Sequence, residues 1–172
     1  MEAIPIEVIE MADDFFSHLD EQGKEDVLST YYNEQPNILK VYEGWLKAIV
    51  YKGTVEKSEN LFFVIYRSYQ YYGIKLPIIE DKQFFEAFDN FRTYNHHPNG
   101  QPLTNLQSMK RLKKQLNQDY LMDYVMLKIF GSPENPSKDI NINDVGIMVL
   151  LIVLLLNTLN NEMKKHVVDE IL

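Results

Sequence analysis

The sequence predicts an all-α protein: a single globular domain of about six to eight helices packed around a buried hydrophobic helix near the C-terminus. Three observations lead to this fold class. Apolar residues recur with the 3.6-residue period of a helix along almost the whole chain, and few runs alternate with the period of two that a strand needs. Glycine and proline interrupt the pattern at intervals typical of helix ends. The continuous run 145–156 carries no polar side chain.

The first two helices are predicted from one apolar stripe and one glycine. Pro5 suits the first turn of a helix, where its missing N–H costs nothing. Gly23 is expected to separate this helix from a second one over residues 24–34. The stripe of the first helix consists of Val8, Ala12, Phe15 and Leu19.

The next two helices are predicted between proline, serine and glycine. Pro36 opens a third helix, and Gly53 is expected to end it. Ser58 is the expected N-cap of a fourth helix, because a serine oxygen can accept from the free N–H groups of a first turn. Gly73 is the expected residue after its end, where a left-handed conformation favours glycine.

The second half of the chain is predicted to hold at least three more helices. Residues 74–79 are expected to be extended because Pro77 disfavours helix in the residue before it. A helix follows from Asp81, and the turn-rich segment 95–102 ends it. A capping box at 104–107 starts the next helix, with a bend expected near Asp119.

The apolar run 145–156 is predicted to be a core helix and not a membrane span. Twelve helical residues rise about 18 Å, whereas bilayer hydrocarbon is about 30 Å thick. Polar residues, Asp144 and Asn157, bound the run on its two sides. A helix that is apolar all round needs neighbours on every side, so we place it at the centre of the fold or partly in a dimer interface.

Length and composition indicate one soluble, folded domain. The chain has 172 residues, of which 45% are hydrophobic and 24% charged, and single cores divide only beyond about 250 residues. We predict one domain over residues 1–172, which would subdivide, if at all, at the loop 95–102. Cysteine is absent, which excludes disulfides and thiolate chemistry and, with the lack of an apolar leader, favours the cytoplasm.

Charge is concentrated at the N-terminal end. The net charge is −8, and residues 1–34 contain a single basic residue, Lys24. The acidic residues of this region are Glu2, Glu7, Glu10, Asp13, Asp14, Asp20, Glu21, Glu25, Asp26 and Glu34. Such a field repels nucleic-acid phosphates and suits a basic protein surface.

The first functional hypothesis is a non-enzymatic protein-interaction or regulatory module that needs no cofactor. Nucleotide-binding, serine-hydrolase and zinc-protease motifs are all missing from the chain, which argues against an enzyme. The aromatic density of residues 62–72 exceeds what one helix stripe buries, and surface tyrosine is favoured at interfaces. We therefore predict a surface for a protein partner or for self-association, formed by Phe63, Tyr66, Tyr71, Glu10, Asp13 and Asp14.

A metal-dependent helical enzyme is the first alternative. Two helices carry carboxylates and imidazoles at i, i+4 and i+8, a spacing that puts them on one helix face. Carboxylate and imidazole ligands suit iron or manganese, although helical di-iron proteins use Glu-x-x-His spacing. The residues are Glu10, Asp14 and His18 in the first helix, and Glu162, His166 and Glu170 in the last.

A nucleic-acid-associated regulator is the second alternative. The run 110–114 is basic, and lysine and arginine are the residues that contact phosphates. The same residues form the polar side of an amphipathic helix, so nucleic acid is not expected as a partner. The residues concerned are Lys110, Arg111, Lys113 and Lys114.

Overall fold

Helices make up nearly all of the described chain. The computed structural model describes residues 2–47, 52–94, 114, 116–132, 134 and 142–169, and within these ranges there are seven α-helices and no β-strand. The all-α prediction is therefore confirmed. The helices are α1 (Ile6–Ser17), α2 (Glu21–Glu34), α3 (Pro36–Leu46), α4 (Lys52–Tyr71), α5 (Asp81–Tyr94), α6 (Asp119–Phe130) and α7 (Ile142–Asp169).

The apolar C-terminal helix is the centre of the fold, as predicted. Every residue from 151 to 160 is buried, and α7 packs against α3, α4 and α5. Helix α4 in turn packs against α1 and α6, so α4 and α7 together form the inner layer. Among the described helices, none has the length and apolar content needed to cross a bilayer.

Polar residues that follow the apolar run lie inside the core. Asn157 and Asn160 are 4% and 1% exposed, whereas the sequence suggested that asparagines end the buried stretch. The Asn157 Nδ2 donates to the carbonyl of Ala87 in α5 at 3.4 Å, and the Asn160 Nδ2 donates to the carbonyl of Leu116 at 2.6 Å. Each amide thus satisfies a buried backbone oxygen of a neighbouring segment, which offsets the cost of burying it.

Two helix boundaries differ from the prediction. Gly23 lies inside the first turn of α2, where its N–H donates to the Asp20 side chain at 2.8 Å, so Asp20 is the cap and Gly23 is not a break. Helix α4 begins at Lys52 and continues through Gly53. Ser58 is a buried residue within α4, and its carbonyl accepts from the Tyr42 hydroxyl at 2.7 Å. A packing contact with α3 therefore explains the serine that resembled a cap.

The end of α4 is as predicted. Gly73 has a φ of +81°, in the left-handed region that favours glycine. Its N–H donates to the carbonyl of Gln70 at 3.0 Å, and the N–H of Ile74 donates to that of Tyr69 at 3.1 Å. This pair of bonds is a Schellman motif, which satisfies carbonyls that the helix end leaves free.

The extended segment after Gly73 is held by one glutamine. Gln35, which links α2 to α3, is 1% exposed. Its Nε2 donates to the carbonyl of Pro77 at 2.6 Å, and its Oε1 accepts from the N–H of Ile79 at 3.0 Å. The side chain replaces a strand partner for the 77–79 backbone, which explains how an isolated extended segment is tolerated in an all-α protein.

Helix α6 begins after a clear break. Asn117 has a φ of +50°, so the bend predicted near Asp119 is the boundary of a separate helix. The capping box at 104–107, the loop 95–102 and Lys110, Arg111 and Lys113 lie outside the described residues. Lys114 is described, and its side chain is exposed.

Candidate functional site: the outer surface of α1

Helix α1 packs on α4 through a face that is displaced from the predicted stripe. The buried residues are Ile9, Ala12 and Phe16, whereas Val8 and Phe15 are half-buried at its edge. The Phe16 ring stacks on Phe63 of α4 with centroids 5.1 Å apart. Because the helix is anchored in this way, its acidic residues point away from the core.

The outer side of α1 is an acidic surface with an apolar centre. Glu7, Glu10 and Asp14 are exposed and border a shallow depression of about 560 Å³. Met11 lies among them and is 59% exposed. A methionine so exposed contributes little to folding, since most of its apolar surface stays in water. Within the described residues, neither glutamate forms an ion pair.

One flank of this surface carries an ordered aromatic pair. Phe15 lies one turn after Met11, on the same side of the helix. Its ring meets Tyr71 of α4 edge-on, with centroids 6.4 Å apart. The Arg67 guanidinium lies 4.9 Å from the Phe15 centroid and 4.7 Å from that of Tyr71, and it donates to the Gln70 side chain at 2.9 Å. Cation–π contacts of this kind fix both rings.

Met11, Phe15 and Tyr71 thus form a short apolar ridge beside three carboxylates. Tyr71 remains 37% exposed. We call this surface the α1 face and define it by Glu7, Glu10, Met11, Asp14, Phe15 and Tyr71. Of the predicted contact residues, the structure brings Tyr71, Glu10 and Asp14 to it. Met11 was missed, because a single methionine inside an acidic helix gives no sequence signal.

The predicted surface positions of Phe63 and Tyr66 are corrected. Both side chains are buried, with 5% and 2% of their surface exposed. The Phe63 and Tyr66 rings lie 5.1 Å and 4.4 Å from the ring of Tyr31, and the Tyr66 hydroxyl donates to Glu34 at 3.0 Å. Burial and the Glu34 carboxylate raise the pKa of Tyr66 above its ordinary value, which keeps its hydroxyl a neutral donor.

The reason for this burial is the number of helices around α4. The prediction assumed that α4 buries one stripe, but α1, α6 and α7 all pack on it. A helix with several neighbours buries most of its circumference, so its surplus aromatics are core residues.

Asp13 belongs to the opposite flank of α1, away from the α1 face. Its Oδ1 accepts from the Tyr124 hydroxyl at 2.8 Å, and its Oδ2 lies 2.7 Å from the Lys128 ammonium. Both partners are in α6, so Asp13 ties α1 to α6. Burial, and then the contact with Asp13, raises the pKa of Tyr124 far above its ordinary value.

The predicted metal ligands do not form a cluster in the described structure. Glu10, Asp14 and His18 follow one another along the exposed side of α1, and the His18 Nδ1 lies 3.3 Å from the Asp14 carboxylate. Glu162 is buried in α7, while the side chain of His166 and the whole of Glu170 are outside the described residues. Over the described ranges, no group of three or more histidine, aspartate and glutamate side chains is placed to hold a metal.

Comparison with known proteins gives no relative for this chain: no family model, no curated protein and no solved structure matches it. Inference about function therefore starts from the side chains of the α1 face and of the surfaces beside it.

Proposed function

We propose that the protein is a non-enzymatic interaction module that binds a basic, amphipathic segment of a partner protein on the α1 face. The observation that carries the proposal is Met11, which is 59% exposed at the centre of an acidic depression. Large exposed apolar residues within a charged border are typical of contact surfaces, where methionine and aromatic residues are enriched.

The chemistry of the face selects a basic partner. Glu7, Glu10 and Asp14 would lie opposite lysine or arginine side chains, and an apolar residue between those cations would cover Met11. A helix with this pattern presents its apolar and basic residues at i, i+3 and i+4, which fits a single helical face. The net charge of −8 attracts such a partner from a distance and raises the rate of association.

The aromatic flank favours binding because it is already ordered. Arg67 contacts both Phe15 and Tyr71, so little side-chain freedom is lost when a partner covers the rings. Tyrosine also offers a hydroxyl to the rim of an interface while its ring packs inside.

Self-association through this face is disfavoured. A two-fold symmetric dimer places the same patch of both copies together, which would put the carboxylates of Glu7, Glu10 and Asp14 against their own copies. A homodimer would therefore use another surface. We place the interaction in the cytoplasm, an expectation that rests on the absence of cysteine.

The test is a binding titration with a defined probe. An 18-residue amphipathic peptide with lysines around a leucine stripe is titrated against the full chain, and a scrambled peptide of the same composition tests whether pattern matters. Replacing Glu7 and Glu10 by Gln and Asp14 by Asn should weaken binding about tenfold, from rim charges worth about 0.2–1 kcal/mol each. Met11→Ser should weaken it by a similar factor, as a central apolar contact does.

A matched control separates the face from net charge. Replacing Glu56, Glu86 and Glu134 by Gln removes the same three charges from other exposed positions and should change affinity less than about twofold. Equal losses in the two triple variants, or equal affinity for the ordered and scrambled peptides, would contradict the proposal.

A further inference from the structure

A second cleft lies on the other flank of α1, where α1, α4 and α6 meet. It has a volume of about 260 Å³ and is lined by three lysines, Lys24, Lys57 and Lys128. The lysines come from different parts of the chain, one each from α2, α4 and α6. We call this site the lysine cleft. It shares no residue with the α1 face.

The local charge of the lysine cleft is opposite to that of the protein. The chain has a net charge of −8, yet the cleft lining contains three ammonium groups and one carboxylate, that of Asp13. The difference, three minus one, leaves a local charge of +2. The Asp13 carboxylate is already occupied, since the Tyr124 hydroxyl and the Lys128 ammonium each contact one of its oxygens.

The lysine side chains are partly withdrawn from water. Those of Lys24 and Lys128 are 38% and 41% exposed, and their ammonium groups lie over aromatic rings, at 5.9 Å from the Phe16 centroid and 5.3 Å from the Tyr124 centroid. Lys24 also lies 3.3 Å from a carboxylate oxygen of Glu21, whose side chain is 92% exposed. A carboxylate so exposed interacts weakly, because water screens it. Bringing cations together in a cleft costs energy, which a bound anion would recover.

The donor set indicates which anion fits. Carboxylates are best recognised by the two-pronged guanidinium of arginine, and arginine is not among the residues lining the cleft. Lysines act as point charges and are common phosphate ligands. A phosphate monoester carries a charge of about −1.5 to −2 at pH 7, which matches the local +2. Leu61 and Val64 form apolar wall on the α4 side, against which a small organic group can pack.

We propose that the lysine cleft binds the phosphate group of a small phosphate monoester. The proposal stands independently of the function proposed for the α1 face, because the two sites lie on opposite flanks of α1. The volume of about 260 Å³ is at the lower end of small-molecule sites, so the ligand is a compact one.

Calorimetric titration of the full chain with inorganic phosphate and with phenyl phosphate tests the proposal. Both should bind at low ionic strength, and phenyl phosphate should bind more tightly because its ring contacts the apolar wall. Lys57→Gln and Lys128→Gln should each lower the affinity about tenfold or more, as expected for a lost charged hydrogen bond. Lys52→Gln and Lys82→Gln, at positions 89% and 85% exposed, should leave it unchanged.

Asp13→Asn provides a variant with the opposite sign. The amide oxygen still accepts from Tyr124, but one negative charge leaves the cleft, so phosphate affinity should rise several-fold. Affinity of the unsubstituted chain for inorganic phosphate should also increase from pH 5 to pH 7.5, because the second phosphate pKa is about 6. Replacing Glu7, Glu10 and Asp14 together should not weaken phosphate binding, which separates this site from the α1 face.

Three results would overturn the proposal. One is the absence of measurable heat with both phosphates at millimolar concentration. Another is an equal loss of affinity in the cleft variants and in the Lys52 and Lys82 controls, which would indicate general charge attraction. The third is weaker binding by a folded Asp13→Asn protein, because a lost negative charge cannot weaken a site that acts by positive charge.

Discussion

Replacing Gln35 by alanine should destabilise the protein by about 2–4 kcal/mol. Gln35 is 1% exposed and makes two hydrogen bonds to the extended segment, one to the Pro77 carbonyl and one from the Ile79 N–H. The Ile79 N–H is buried and would keep no partner, at a cost of about 1–3 kcal/mol. The Pro77 carbonyl is partly accessible and would lose about 0.5–1.5 kcal/mol, because water replaces the amide. Whole domains are stable by only about 5–15 kcal/mol, so the loss is large.

Urea unfolding followed by circular dichroism measures this loss, and amide hydrogen exchange at Ile79 localises it. Gln22→Ala is the matched control: Gln22 is exposed and bonds only to Asp26, so its removal should cost less than about 0.5 kcal/mol. Gln35→Glu should fall between the two, since a carboxylate accepts from Ile79 but cannot donate to Pro77. A free energy of unfolding for Gln35→Ala within 0.5 kcal/mol of the unsubstituted value, with unchanged protection at Ile79, would refute the reasoning.

Two further predictions concern Glu59 and Gly73. Burial, and then Glu43 and Glu56, raises the pKa of Glu59, so the folded state holds its proton to higher pH than the unfolded state does. The ionised carboxylate therefore destabilises the fold above the folded pKa; Glu59→Gln should raise stability at pH 7 by about 0.5 kcal/mol, and this gain should vanish below about pH 4 in unfolding titrations at both pH values. Gly73→Ala should cost about 1–2 kcal/mol because φ is +81° with no atom within 4 Å of the added carbon, whereas Gly44→Ala, in open space within α3, should stabilise by about 0.5–1 kcal/mol; a loss at Gly44 equal to that at Gly73 would show that backbone strain is not the cause.

The central helix could be predicted from the sequence because its signal is local. The apolar run 145–156 is too short for a bilayer and too uniform for a surface, so burial inside the fold was the remaining arrangement. The ends at Pro36, Gly73 and Asp81 were equally local, since each depends on the conformational limits of one residue or on one cap. Such features need no knowledge of which helices are neighbours.

The features that were mispredicted depend on neighbours. Ser58 resembles a helix cap, but Tyr42 of α3 packs on it and makes it a core residue. Phe63 and Tyr66 resemble surplus aromatics, but α4 has partners on several sides. Helix packing is decided by tertiary contacts that a stripe pattern does not encode, so burial around a many-sided helix is underestimated.

The candidate sites were only partly accessible from sequence. The acidic character of α1 was evident, and with it Glu10 and Asp14, but the division of α1 into an outer face and two flanks requires the positions of α4 and α6. The lysine cleft was missed entirely. Lys24, Lys57 and Lys128 are distant in the sequence, and none of them lies in a motif, so only the fold brings them together.

Photo-crosslinking from position 11 tests the interaction proposal most directly. A photoreactive phenylalanine replaces Met11 in the full chain inside the producing cells, and a second protein carries it at Phe85, which is 54% exposed on α5. We predict a cross-link from position 11 to one protein, at a segment rich in lysine or arginine, that disappears when Glu7, Glu10 and Asp14 are neutralised. A partner captured equally from position 85, or captured from position 11 regardless of those carboxylates, would contradict binding at the α1 face.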